Sequence, residues 1–445
     1  MGSATANGTN GTLRFMLRAF RSRNYRLFFA GQLASLIGTW ISILATSWLV
    51  YRLARESMPQ STALVLGAVG FAGQIPIFLI APWAGVWIDR WNRHRVLLAT
   101  QALSMLQSFA LAALALSGRV EIWHVMLLNA FQGLVNAFDI TARQSFIVEM
   151  VDDRADLSGA IALNSSMFHS ARLIGPAIAG WLIAYTSEGV CFLIDGFSYL
   201  AVLIALLAMR LPARLKAQQH PPAARALIEG MHYCFGFSPI RLLLSLVAVN
   251  SLVAMSQSVL MPLFAGDAKT LGMLLGASGF GAFLGSLYLA SRRSVLGLGR
   301  VIGNAAAMLG MSMIAFSFST WLPLRLMILP VLGASLVVEV AAANTMLQTI
   351  VDDDKRARVM SMFAMAVMGM APFGSLMAGV TANYVGPPWT MFLAGCVSVM
   401  AAVAFAMQLP IIRPLVRPIY IRKGILPEIA EGMQTASSLA TTPHE

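Results

Sequence analysis

The chain alternates between apolar runs the length of a bilayer crossing and short polar turns. Scanning for stretches near the roughly 20 residues that a spanning helix needs gives twelve, at 27–51, 62–87, 96–117, 121–142, 160–184, 189–209, 242–264, 271–291, 301–318, 323–347, 359–382 and 389–409. Little is left between them from which a water-facing domain might be built. Of the 445 residues, 58% are hydrophobic and only 11% charged, against about 25% charged in a soluble domain. The expected fold class is therefore all-α integral membrane, with twelve transmembrane helices; the repeat and the resemblance given below imply that these form two six-helix bundles. The first residues, MGSATANGTNGT, lack the apolar core of a cleavable signal, so the first run is read as a retained helix. The expected layout is a tail at 1–26, a first bundle at 27–209, a linker at 210–241, a second bundle at 242–409 and a polar tail at 410–445.

Charge gives the orientation. With the N-terminus inside, 25 of the 31 Lys and Arg fall in inner loops and tails, five in outer loops and one, Arg172, within a span. Such a bias sets topology, and it predicts both termini in the cytoplasm and a place in the cytoplasmic (inner) membrane. It also accounts for the net charge of +12 without a nucleic acid partner. Cys191, Cys234 and Cys396 are far apart and show no metal spacing, so they read as small hydrophobes and no metal site is expected. The Asn7 and Asn10 sequons lie in the inner tail.

The chain also halves. VDDRADLSGA from Val151 and VDDDKRARVM from Val351 occupy equivalent inner loops, each followed by a span holding a proline, Pro176 or Pro372. Six plus six spans with such repeats is a build shared by many secondary transporters.

The turn between the second and third spans reads GVWIDRWNRHR. Gly85, Asp89, Arg90, Arg93 and Arg95 in that spacing resemble the loop signature of the major facilitator superfamily, with Asn92 where a second glycine is common. Gly175, Pro176, Ala179 and Gly180 resemble the helix-five antiporter signature of drug-exporting members, from which Ala171 and Arg172 depart. Together with NAFDITARQSFIVEMV from Asn136, this is similar to the branch holding enterobactin exporters and macrolide efflux proteins. The resemblance implies the major facilitator fold, two bundles around a central cavity lined by helices one, four, seven and ten. It also implies that Asp89 meets the start of helix eleven near Val359, where a helix dipole favours a carboxylate.

From the residues themselves, an Asp89–Arg143–Glu149 cluster is expected to hold the inner face shut in one state, since a desolvated ion pair is costly to break; the bland alternative is a set of topology charges. Asp139, four residues from Arg143, shares its helix face and joins the gating group. Gly175, Pro176 and Gly180 suit a bending, tightly packed helix. Charged groups inside spans are candidates for substrate or proton coupling: Glu339, about two turns from the inner end of its helix, then Arg172 and Asp195. Gln32, Ser35, Asn250 and Gln257 are weaker polar candidates, and His169 reads as packed. Gly279, Gly281 and Gly285 mimic a dinucleotide fingerprint but lie within a span, without the strand that the fingerprint needs. No phosphate-binding loop or catalytic constellation is legible. The expected function is export of small amphipathic molecules by alternating access, driven by the proton gradient with no cofactor and no enzymatic step. The partners are a small-molecule substrate and the lipid bilayer, with the monomer functional. An importer, a lipid flippase or a non-transporting sensor on the same scaffold is the alternative.

Overall fold

Lipid offers no partner to a backbone N–H or C=O, so a chain immersed in it must pair these groups internally, and a helix does so within one segment. The computed structural model, which describes residues 18–151, 153, 156–209, 231, 233–292, 294–423 and 425, is built accordingly. A 3₁₀ turn, Arg18–Arg21, precedes α1 (Arg23–Ser57), α2 (Thr62–Arg90), α3 (Arg93–Leu116), α4 (Ile122–Met150), α5 (Leu157–Tyr185) and α6 (Glu188–Leu207). Then follow α7 (Ser238–Ala265), α8 (Ala268–Ser291), α9 (Leu298–Ser317) and α10 (Leu322–Ile350). α11 runs as Asp353–Ala364, a π turn at Met365–Gly369 and Ala371–Val385, and α12 spans Pro387–Arg422. No strand occurs among the described residues, and eleven of the helices are long and apolar enough to cross a bilayer. The long helix outside that group is α5, which carries His169 and Arg172 along its length.

Local chemistry sets the turns. In GVWIDRWNRHR only Trp91 and Asn92 leave the helical path; the Arg95 N–H donates to Asn92 Oδ1 at 3.2 Å, which caps α3. The residue that departs from the superfamily pattern is thus a helix cap, a role that Asn fills well. Between α7 and α8, Gly266 takes φ +80°, and Asp267 Oδ1 accepts the Thr270 N–H at 2.8 Å.

Two expected limits are corrected. α1 extends beyond 27–51, to Arg23 and Ser57. α12 continues past 409 to Arg422, so the first part of the expected tail at 410–445 is helix. Pro410, Pro414 and Pro418 suggest a break, but their four-residue spacing puts them on one exposed face, while Ile412, Val416 and Tyr420 bury the other. In the 210–241 linker, residues 210–230 lie outside the described part, and α7 begins at Ser238.

Packing repeats between the two parts of the chain. α1 packs on α5 and α6, α2 on α4, and α3 on α4 and α6. The counterparts pack alike: α7 on α11 and α12, α8 on α10, and α9 on α10 and α12. The main joins between the parts are α5 with α8 and α2 with α11. The apolar core shows where they join. At the end away from the Arg-rich turns one cluster draws on both parts, with Leu44, Val69 and Phe192 beside Leu260, Leu274 and Met391. At the basic end it divides into two, one around Phe146 and Leu206 and the other around Leu243, Leu347 and Phe405.

The two joins rest on glycines at closest approach. A Cβ on Gly272 would lie 2.7 Å from the Pro176 carbonyl and 2.9 Å from Gly180 Cα; one on Gly67 would lie 2.7 Å from Gly379 Cα. Small residues let backbones approach this closely, and dispersion then replaces the hydrophobic drive that lipid does not supply.

Gly272→Val is expected to force α5 and α8 apart and to lower the melting temperature of the detergent-solubilised protein by several degrees, whereas Gly236→Ala, with open space around it, is expected to leave it unchanged. Scanning fluorimetry of the purified variants checks this. Cys191 and Cys234 are buried free thiols, and burial pushes the Cys234 thiol up to about 11. Its thiolate is therefore scarce at neutral pH, and maleimide labelling of Cys234 is expected to be slow until detergent unfolds the chain.

Candidate functional site

A cavity of about 330 Å³ lies between the two parts, lined by α1, α2, α3, α4 and α6 with Met255, Ser258 and Val259 of α7 and Ser375 of α11. Its wall is mixed, with many neutral polar side chains set among apolar ones. α4 supplies Asn129, Gln132 and Asn136 at spacings of three and four, which place them on one face. The Gln132 Nε2–H group donates to Ser104 Oγ and to Asn136 Oδ1, both at 3.0 Å. Gln74 of α2 donates to Ser375 Oγ at 3.1 Å, a hydrogen bond that crosses between the parts. Thr39, Ser42, Thr46 and Ser47 of α1 complete the polar wall.

Among the described residues one ionisable carboxyl borders this cavity, that of Asp195 on α6, and no Lys or Arg does. Asp195 is 3% exposed; its Oδ2 accepts the Ser108 hydroxyl at 2.7 Å, while Oδ1 has no hydrogen-bond partner. A buried polar atom without a partner carries a desolvation cost; Asp195 Oδ1 is enclosed beside Gly38 of α1, in a residue that lines the cavity. The wall offers many neutral donors and acceptors with one acid, a chemistry suited to a polar or cationic group attached to an apolar body.

The other embedded candidates lie elsewhere. Glu339 is fully buried, and its Oε1 accepts the Asn250 Nδ2–H at 2.8 Å, tying α10 to α7. Glu339 Oε2 and Asn250 Oδ1 are both left without partners. Gln32 is buried on α1 and, like Glu339 and Asn250, is not part of the cavity wall. Arg172 lies along the α5–α8 join, its guanidinium carbon 5.6 Å from the centre of the Trp40 ring, with no acidic partner among the described residues. Gly175 packs against Trp40 of α1, whereas Pro176 and Gly180 meet Gly272 of α8. The helix-five stretch is thus a contact surface toward both parts.

At the basic end the ion pairs differ from the expected cluster. Arg143 donates to Asp139 Oδ2 on its own helix, and Asp139 Oδ1 accepts from Thr100 Oγ1 at 2.9 Å and Gln101 Nε2 at 2.7 Å. Glu149 pairs with Arg93 at 2.8 Å. Arg143 and Glu149 therefore do not pair with each other: one helical turn brings Asp139 to Arg143, and the cap at Asn92 starts α3 with Arg93 beside the end of α4. Both pairs brace the first part of the chain internally. The side chain of Asp89 lies outside the described residues; Gly85 and Arg90 sit in the last turns of α2, with Arg90 exposed.

Sequence reasoning that sought charges within spans passed over Gln74, Asn129, Gln132 and Asn136. The 129–132–136 spacing was the available signal: three amides on one face of α4, in the part of the helix before its charged end.

The sequence profile described as "Transmembrane secretion effector" matches residues 16–415. Among curated proteins, the Staphyloferrin A transporter of Staphylococcus aureus is 23% identical over 391 residues, covering 85% of this chain and 95% of that protein. The Multidrug efflux pump Tap of Mycolicibacterium fortuitum is 26% identical over 390 residues, covering 85% and 93%. Macrolide efflux protein A of Streptococcus pyogenes is 22% identical over 250 residues, covering 51% and 60%. Among solved structures, a bacterial homologue of the human lysosomal transporter Spinster, inward-facing and occupied, superposes with a TM-score of 0.64 at 15% identity, covering 87% of this chain and 96% of that one. A variant of the nucleoside transporter NupG gives 0.63 at 14% identity, covering 85% and 99%. At these identities the structures speak for the fold alone.

Asp139→Ala is expected to cost about 3 kcal/mol, because it strands the Arg143 guanidinium and two buried donors, while Asp139→Asn, which keeps acceptors for Thr100 and Gln101, costs less. Thermal denaturation in detergent with both variants distinguishes the two outcomes.

Proposed function

Because this chain belongs to the transmembrane secretion effector family of the major facilitator superfamily, and is a membrane transporter rather than an enzyme, we propose that it exports small amphipathic molecules across the cytoplasmic membrane in exchange for protons. In this reading the helices make twelve crossings as two six-helix bundles, with both termini in the cytoplasm and the monomer as the working unit. The mirrored packing of α1–α6 and α7–α12 supports the two bundles, and the basic turns support the orientation. Export is the direction named for two of the relatives.

The observation that carries the reading is the division of the apolar core. One cluster joins the bundles at the outer end and two separate clusters hold them at the cytoplasmic end. Such an arrangement belongs to a cytoplasm-facing state. The reverse state requires the cytoplasmic ends to close and the outer joins to loosen. The intrabundle pairs Asp139–Arg143 and Arg93–Glu149 keep the first bundle rigid during that movement, and Gly85, Asp89 and Arg90 sit on the turn that closes. The joins through Gly175, Pro176 and Gly180 are the pivot.

The substrate binds in the amide-lined cavity, with its apolar part against Val69, Val259 and Met255 and its polar or cationic end toward Asp195. Asp195 then exchanges the substrate for a proton, since one carboxylate cannot hold both. Glu339, walled off by Asn250, moves a proton only when α7 and α10 rearrange, and Arg172 governs the α5–α8 join.

Accumulation of a lipophilic cationic dye in cells, with and without the protein and with and without a protonophore, tests this. Expression is expected to lower accumulation several-fold, and the protonophore to abolish the difference. Asp195→Asn is expected to lose at least about tenfold in transport with normal membrane insertion, and Glu339→Gln to lose less. Equal accumulation in all conditions contradicts proton-driven export; full activity of Asp195→Asn removes this residue from the mechanism.

A further inference from the structure

On the outer surface of the second part, away from the central cavity, α9 and α12 diverge toward the basic end. Where they touch, at Gly310 and Gly395, a Cβ on Gly310 would lie 2.6 Å from the Gly395 carbonyl. Farther along, two adjoining grooves of about 370 and 400 Å³ open between the helices, and both include Arg300, Leu409 and Arg413. The larger groove is lined by small side chains, Gly303, Ala307 and Ala406 among them. The other groove adds Arg417, one turn beyond Arg413 on the same face of α12.

The charge of this furrow is one-sided. Arg300, Arg413 and Arg417 are exposed and make no ion pair with any described acid, and no Asp or Glu lines either groove. Elsewhere at the basic end cations do find partners: Arg18 with Asp156, Arg93 with Glu149, and the Lys423 ammonium with the Val351 carbonyl. Three like charges around an apolar slot repel one another, and among the described residues no acid supplies a counter-charge. The extension of α12 past 409 is what places Arg413 and Arg417 beside Arg300 at the start of α9.

We propose that the α9–α12 furrow is a binding site for an anionic diacyl phospholipid, with one acyl chain in the small-residue slot and the phosphate held by Arg300, Arg413 and Arg417. Both halves of the ligand are matched: the slot is a bilayer-facing furrow that takes a chain, and the cations stand where a headgroup on the basic side ends. Basic pockets between spanning helices at this level recognise such headgroups, and guanidinium groups fork onto phosphate oxygens.

Native mass spectrometry of the full-length, detergent-solubilised protein tests the site with dioleoylphosphatidylglycerol, dioleoylphosphatidylcholine and inorganic phosphate as probes. The wild type is expected to retain the phosphatidylglycerol through activation that strips the phosphatidylcholine, and inorganic phosphate at millimolar levels is expected not to displace it. The variant Arg300→Gln/Arg413→Gln/Arg417→Gln is expected to bind phosphatidylglycerol at least about tenfold more weakly. A control with Arg55, Arg119 and Arg241 changed to Gln is expected to bind as the wild type does. Ala406→Trp, which fills the slot from an exposed position, is expected to weaken binding with all three arginines retained. Equal retention of the two lipids, displacement by free phosphate, equal loss in the control, or full binding by Ala406→Trp would each overturn the proposal.

Discussion

The structure depends on close backbone contact between its two parts at one end only. In lipid, apolar side chains gain little by leaving their surroundings, so helices hold together through packing and buried polar bonds. Here the joins are pairs of glycines, Gly180 on Gly272 and Gly67 on Gly379, where no side chain separates the backbones. A shared apolar cluster surrounds both joins. The basic ends have no equivalent: each part keeps its own core and its own ion pairs. A molecule fastened at one end and free at the other is one that can rock.

Polar groups inside the membrane fall into three kinds by what they touch. Asp139 is fully engaged by Arg143, Thr100 and Gln101, which makes it a brace. Glu339 and Asn250 share one hydrogen bond and leave an acceptor each, in a dry place between α7 and α10. Asp195 is held by the Ser108 hydroxyl through one oxygen, with the other enclosed, in a residue that lines the cavity. Burial alone does not separate them, since all three acids are almost wholly covered. The neighbours do: an ion pair and two hydrogen bonds around the first, a link between two helices at the second, and the wall of a cavity at the third.

Much of the fold was legible because lipid simplifies the code. Run length marks the helices, so the limits of α5 and α8 follow from the sequence within about three residues, whereas α4 runs on past the expected 142 to Met150. α12 escaped because three prolines look like a stop, and only the burial of Ile412, Val416 and Tyr420 against α7 and α9 shows why the helix continues. The site was less legible. Charge within a span flagged Asp195, Glu339 and Arg172, but sequence spacing within one helix does not say which of them meet a common space. The amides of α4 did share a face, and the cavity is built on them. The ion pairs at the basic end turned on the start of α3, which one asparagine cap sets.

Whether this architecture moves as a rocker is measured most directly by paired spin labels and pulsed electron resonance in proteoliposomes. One pair, at Gln144 of α4 and Gln348 of α10, spans the basic ends; the other, at Gln60 before α2 and Tyr384 near the end of α11, spans the opposite end, and all four positions are exposed. With a pH gradient imposed and a transported dye supplied, the first distance is expected to shorten while the second lengthens. Two distances that stay fixed, or that change in the same sense, would contradict a rocking of the two parts in which one end closes as the glycine joins at the other loosen.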